Sequence, residues 1–150
     1  MIGPEARPKP RRSFRARLVR LVALITGTYL GIVVLFAWLE NRLVYRPLTV
    51  SQWWEDPPDP AIEDVWLTAE DGTRLHAWWY PVDDSARGAV LICHGNAGNL
   101  SGRGNTVLRF GKELGRSVFI FDYPGYGKSE GKPGEARCYA AADAAYRWLV

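Results

Sequence analysis

Hydrophobic positions along this chain fall into three patterns. Residues 21–39, LVALITGTYLGIVVLFAWL, are nineteen positions without a charge, apolar on every helical face. As a helix this run would span roughly 28 Å at 1.5 Å per residue, close to the hydrocarbon thickness of a bilayer. Further along, residues 62–68 and 73–80 are β-rich runs separated by Ala69-Glu70-Asp71-Gly72, and Asp-Gly is a strong hairpin signal. Within the second run Leu75, Ala77 and Trp79 share one face, and His76, Trp78 and Tyr80 the other. The third pattern alternates continuous apolar runs with helical spacing. Ala89–Cys93 and Ser117–Phe121 read as strands buried on both faces of a parallel sheet. Residues 102–114 carry Val107, Leu108, Phe110 and Leu114 as a partial stripe, and residues 135–150 repeat Ala141, Ala144, Ala145, Trp148 and Leu149. A hairpin followed by β-α-β-α predicts an α/β sheet.

The intervening chain adds less. Residues 40–61 form a linker in which Pro47, Pro57, Pro58 and Pro60 oppose regular structure through much of the length. Trp53 and Trp54 either rest at a membrane surface or dock on the domain, and the sequence leaves both open. His76 is expected beside aromatic residues on an edge strand.

Charge changes the picture only at the start. The formal net charge is +3, yet residues 1–20 hold seven basic residues against Glu5, so the remainder is net acidic. The basic character belongs to a tail, and the soluble part carries no nucleic-acid signature. Seven positive charges before the apolar run, with Trp38 and Tyr45 at its far end, predict a single-pass anchor. Its N-terminus would be cytoplasmic and the domain on the opposite side. A cleaved signal peptide would need a shorter core and small residues at its end, where Phe36-Ala37-Trp38-Leu39-Glu40 stands instead. Cys93 and Cys138 form neither a disulfide framework nor a metal-ligand spacing.

Chemistry concentrates at His94-Gly95-Asn96-Ala97-Gly98-Asn99, where an apolar strand runs into a glycine-rich turn and then a helix. That order presents backbone N–H groups at the end of a sheet, able to hold negative charge developing on a carbonyl oxygen. Asn99-Leu100-Ser101 is also a glycosylation triplet, a pattern too common to weigh.

Four pieces, in order, resemble the alpha/beta-hydrolase superfamily, and most closely its single-pass, membrane-anchored serine aminopeptidase-like and lysophospholipase-like branch. They are the apolar run with the following Glu40-Asn41-Arg42-Leu43-Val44-Tyr45-Arg46-Pro47, the hairpin from Glu70 to Trp78, the His94 to Asn99 motif, and Asp122-Tyr123-Pro124-Gly125-Tyr126-Gly127-Lys128-Ser129-Glu130-Gly131. The resemblance implies serine chemistry, in which a nucleophile attacks an acyl carbonyl, a histidine takes its proton and an acid orients the histidine. It assigns the oxyanion donor from the loop after the third strand to the backbone N–H of Asn96, with Ala97 as the neighbouring candidate. It places Gly95 and Tyr123 at the substrate, and His94 and Asp122 in structural roles beside the site. His94 is expected to hydrogen-bond toward the loop after Asp122, and Asp122 to anchor its own glycine-rich loop. No cofactor or metal is implied. The partners implied are the lipid bilayer through residues 21–39 and a small-molecule acyl substrate, an ester, thioester or amide.

Two motifs mislead. Gly127-Lys128-Ser129-Glu130-Gly131 matches G-x-S-x-G by letter, yet four residues separate it from the preceding strand and Lys132-Pro133-Gly134 prevents an immediate helix. Ser129 is therefore read as a decoy. A phosphate-binding loop would require glycine where Asp122 stands, so nucleotide binding is discarded. The nucleophile elbow is expected after a further strand, with acid and base later still. Residues 62–150 are thus expected to be the N-terminal, incomplete part of a hydrolase domain, a fragment inactive alone. The alternative is a non-catalytic membrane-tethered interaction module.

Overall fold

The computed structural model describes residues 14–82 and 88–150; expectations resting on residues 1–13 of the basic tail lie outside them. The chain divides into two compact units, Met1–Glu40 and Asn41–Val150. Helix α1 (Phe14–Val44) runs 31 residues with no buried side chain. It is long and apolar enough to cross a membrane.

After α1 come β1 (Arg46–Pro47), β2 (Glu63–Thr68), β3 (Arg74–Tyr80), β4 (Ala89–Cys93), β5 (Ala97–Gly98), a 3-10 turn (Leu100–Arg103), α2 (Gly104–Leu114), β6 (Ser117–Phe121) and α3 (Glu135–Leu149). The main sheet has the order β2-β3-β6-β4, with β2/β3 and β3/β6 antiparallel and β4/β6 parallel. The fold class is mixed α/β, an apolar N-terminal helix followed by an antiparallel hairpin and one parallel β-α-β-α unit.

Alternation along the strands sorts side chains into two cores. One face buries Leu75, Ala77, Phe119 and Phe121 against Ala141, Ala144 and Ala145 of α3. The other buries Trp78, Val118 and Ile120 with Val107 of α2, Leu100 and Ile62. Every residue of β6 is buried, as expected for a strand covered on both faces. At the far end of α3, Trp148 stacks on Phe119 with ring centroids 4.5 Å apart.

Four expectations need correction. Among the described residues β4 pairs with β6 alone, and its end residues Ala89 and Cys93 are exposed, not buried on both faces. Strand β3, which carries His76, is internal and not an edge. The helical run expected from residue 102 begins earlier with the 3-10 turn, because Asn99 caps it through Ser101 N. The proline-rich connector contains a short strand, β1, paired parallel with β5. Both tryptophans of that connector dock on the domain. Trp54 packs edge-on against His76 and Trp78, and the Trp53 ring occupies the space above Gly102.

Candidate active site

The parallel register sets Cys93 opposite Phe121, so His94 and Asp122 leave adjacent strand ends side by side. In α/β sheets, ligands bind outside these carboxyl ends. Both side chains are wholly buried. His94 Nδ1 lies 2.8 Å from Gly95 O, and since a carbonyl only accepts, Nδ1 carries the proton. His94 Nε2 stands 3.2 Å from Asp122 Oδ1, within ion-pair distance but without hydrogen-bond alignment. Rings of Tyr123 and Tyr126 meet the imidazole edge-on at 4.9 and 5.4 Å.

Asp122 does not anchor its own loop through its carboxylate. Oδ1 reaches across to accept Leu100 N at 2.7 Å, satisfying a donor at the start of the 3-10 turn. Oδ2 has no partner among the described residues and lies over Gly127. The loop of residues 123–131 is held instead by the Asp122 backbone carbonyl, which accepts Ser129 Oγ at 2.9 Å. The same hydroxyl oxygen accepts His76 N at 2.9 Å. Among the described residues Ser129 thus gives its hydroxyl proton to a main-chain carbonyl and meets no imidazole nitrogen.

The loop of residues 94–99 is fixed through its carbonyls. Gly95 O accepts a hydrogen bond from His94 Nδ1. Asn96 O accepts both Arg46 N and Tyr126 Oη, each at 2.8 Å. In a trans peptide the N–H points opposite to the C=O, so binding a carbonyl aims the following amide. The Asn96 N–H therefore points away from His94, and the Ala97 N–H away from β1 and Tyr126. Ladder geometry agrees. With Arg46 N on Asn96 O and Leu48 N on Gly98 O, Gly98 supplies the donor facing β1, and Ala97 N–H faces the other way. Asn96 forms its described hydrogen bonds through its carbonyl and its side-chain amide, not its N–H. Gly95, Asn96 and Ala97 are all exposed, and a Cβ on Gly95 would meet nothing within 4 Å.

Tyr123 is half-buried against Phe121, His94 and Tyr126. Burial pushes its phenol well above the ordinary value, with Cys93 alongside adding to the effect. Burial likewise pushes Tyr126 up to about 12, keeping it a neutral donor. Sequence reasoning missed that donor bond, and also missed Asn99. The Asn99 side chain is buried, giving Nδ2 to Leu48 O and Trp53 O and accepting Ser101 N on Oδ1. That burial removes it as a glycosylation acceptor. An apolar depression of about 220 Å³ lined by Trp79, Ala89, Ser117 and Trp148 lies at the opposite, amino ends of β4 and β6.

His76 is the second buried histidine. As expected it sits among aromatics, with Trp54 and Trp66 edge-on at 5.5 and 5.1 Å. Its Nε2 is 2.7 Å from Asp64 Oδ1, which also accepts Trp78 Nε1, while Lys128 Nζ approaches Asp64 Oδ2 at 3.2 Å. Burial lowers the His76 pKa below the ordinary value despite Asp64. Partial burial opposes ionisation of Asp64, but His76 and Lys128 together outweigh it and lower that carboxyl.

The chain matches no protein-family model. It is 38% identical over 137 residues to an uncharacterized protein of Mycobacterium tuberculosis, covering 90% of this chain and 48% of that one. It is 37% identical over 121 residues to an alpha/beta hydrolase domain-containing protein of Arabidopsis thaliana, covering 77% and 39%. Its fold resembles an esterase of Pyrococcus furiosus at TM-score 0.56 and 26% identity, over 71% of this chain and 42% of that one. The chain thus spans less than half the length of these proteins. Relatives and structural neighbours together support the alpha/beta-hydrolase superfamily, and the four-stranded sheet is part of that fold.

Proposed function

We propose that this chain forms the oxyanion side of a membrane-anchored serine hydrolase acting on esters, thioesters or amides, of the serine aminopeptidase-like and lysophospholipase-like kind. The observation that carries this reading is the aim of two consecutive peptides. With the Gly95 and Asn96 carbonyls held by His94, Arg46 and Tyr126, the Asn96 and Ala97 N–H groups are turned outward at the carboxyl end of the sheet. Donors fixed before the reaction stabilise a tetrahedral oxyanion without reorganising, and one of them typically contributes about 2.7–4 kcal/mol. Gly95 leaves room above this loop, and Tyr123 supplies a half-buried aromatic wall for the acyl group. Serine, histidine and acid belong, in the arrangement the resemblance implies, to segments later in chain order than this sheet.

Helix α1 is read as the anchor, its charge-free centre matching a bilayer's thickness. The preceding basic residues favour a cytoplasmic N-terminus, with the hydrolase domain across the membrane.

The test is fluorophosphonate labelling of the full-length protein in membranes. One probe per chain is expected. An unlabelled, folded protein would contradict nucleophilic catalysis and favour a tethered interaction module.

A further inference from the structure

The chain leaving α1 is bonded to the candidate oxyanion loop at every turn. Val44 closes α1, and its carbonyl is one of those a helix end leaves without an internal partner. Asn96 Nδ2 satisfies it at 2.7 Å. Two residues on, Arg46 N donates to Asn96 O at 2.8 Å, and Leu48 N donates to Gly98 O at 2.9 Å. The Leu48 carbonyl in turn accepts Asn99 Nδ2 at 3.0 Å and Gly127 N at 3.0 Å. Residues 44–48 therefore bond to both loops that leave the parallel strands. Tyr126, wholly buried, completes the arrangement with its hydroxyl on Asn96 O.

A tether that only holds a domain near a membrane needs none of these bonds. Here three of them meet at one residue. Asn96 has its side-chain amide tied to the end of α1 and its carbonyl held from two directions. We infer that residues 44–48 and Tyr126 are positioning elements of the hydrolytic site, fixing the 96–97 peptide so that its N–H meets the oxyanion. The inference rests on the proposed oxyanion role of Asn96 and Ala97. It goes beyond that role by making the segment after the apolar helix part of the site and not only its attachment. The functional consequence is a split between the two parts of the N-terminal region. The identity of the apolar helix is replaceable, while the register of the segment that follows it is not.

The test uses the full-length protein and a soluble short-chain ester, with turnover normalised to sites titrated by a fluorophosphonate so that unfolded molecules do not count. Tyr126→Phe removes one hydroxyl from Asn96 O and little else. It is expected to lower kcat about tenfold with KM changed by less than about twofold, since misplaced donors cost transition-state and not ground-state binding. Inserting two glycines between Val44 and Tyr45 lengthens the link that lets Val44 O and Arg46 N hold Asn96 together, and is expected to lower kcat at least as far. Replacing residues 21–39 by an unrelated apolar helix of equal length is expected to leave kcat within about twofold. If titrated Tyr126→Phe and the insertion both keep the parent kcat, the positioning role is overturned while the hydrolase reading stands. If the parent protein takes up no probe and turns over no ester, the hydrolase reading fails and the inference with it.

Discussion

Two buried histidines, each beside an aspartate, do different work in this fold, and the difference lies in where the chain places them. His76 sits mid-sheet on β3, its partner Asp64 half exposed, its ring enclosed by tryptophans. Its hydrogen bond ties two antiparallel strands together through Asp64, which also meets Trp78 Nε1 and Lys128 Nζ. His94 follows the carboxyl end of β4, its partner Asp122 fully buried at the carboxyl end of β6. Its Nδ1–H donates to the neighbouring Gly95 carbonyl, which in a trans peptide turns the Asn96 N–H the other way. On the proposed reading, identical side-chain chemistry stabilises in one place and orients in the other. Residue type alone does not separate the roles; position relative to the strand ends does.

The sharpest contrast is between two left-handed glycines, one against the Asp122 carboxylate and one in the hairpin turn. Gly127 has φ +48°, and a Cβ there would collide with the Asp122 carboxylate. Gly127→Ala is expected to cost more than about 3 kcal/mol, through both left-handed backbone strain and displacement of a buried charge. Gly72, in the hairpin between β2 and β3, has φ +82° with open space around it. Gly72→Ala should cost only about 1–2 kcal/mol. Chemical denaturation of the two variants checks the ordering, and equal losses would remove the close-packed Asp122–Gly127 contact from the account.

Next in size is the split between activity and stability. His94→Gln is expected to lower kcat about tenfold by releasing the Gly95 peptide. His76→Gln should lower stability and leave kcat per titrated site unchanged. Ser129→Ala strips a partner from the buried His76 N–H and should cost about 1–3 kcal/mol of stability. Fluorophosphonate labelling of that variant should persist on the proposed reading, in which the nucleophile lies on a later segment.

The smallest expected effect is on pH. Burial keeps His76 neutral in the fold, so the unfolded chain takes up its proton near pH 6.5 and the folded one only at lower pH. Between those values the unfolded state binds more protons, and stability falls as pH drops through that window. Asp64 and Asp122 favour protonated His76 and Lys128 opposes it, so the net slope reflects burial winning over the carboxylates. Asp64, with its lowered pKa, contributes separately, its stabilisation lost only as pH falls below the ordinary carboxylate range. Thermal melts from pH 8 to 5 should show a decline that is shallower in His76→Gln.

Elements with a strong period were legible in the sequence. The Asp71-Gly72 turn marked the hairpin, and alternation along residues 74–80 assigned Leu75 and Ala77 to one core and Trp78 to the other. The candidate donors at Asn96 and Ala97 could be named because strand, glycine-rich turn and helix follow one another directly. What holds them was not legible. Strands β1 and β5 have two residues each, too short for any alternation. The Tyr126–Asn96 bond joins two irregular loops thirty residues apart, and Asn96–Val44 joins residues separated by fifty-two.

The central claim is that the amides of Asn96 and Ala97 are aimed before substrate arrives. The most direct test is an experimental structure of the full-length protein carrying a phosphonate on its nucleophile. The account predicts a phosphonyl oxygen about 2.7–3.1 Å from the backbone nitrogen of Asn96 or Ala97, with that loop unmoved. An oxygen bound elsewhere, with both nitrogens hydrogen-bonded to the protein itself, would contradict it.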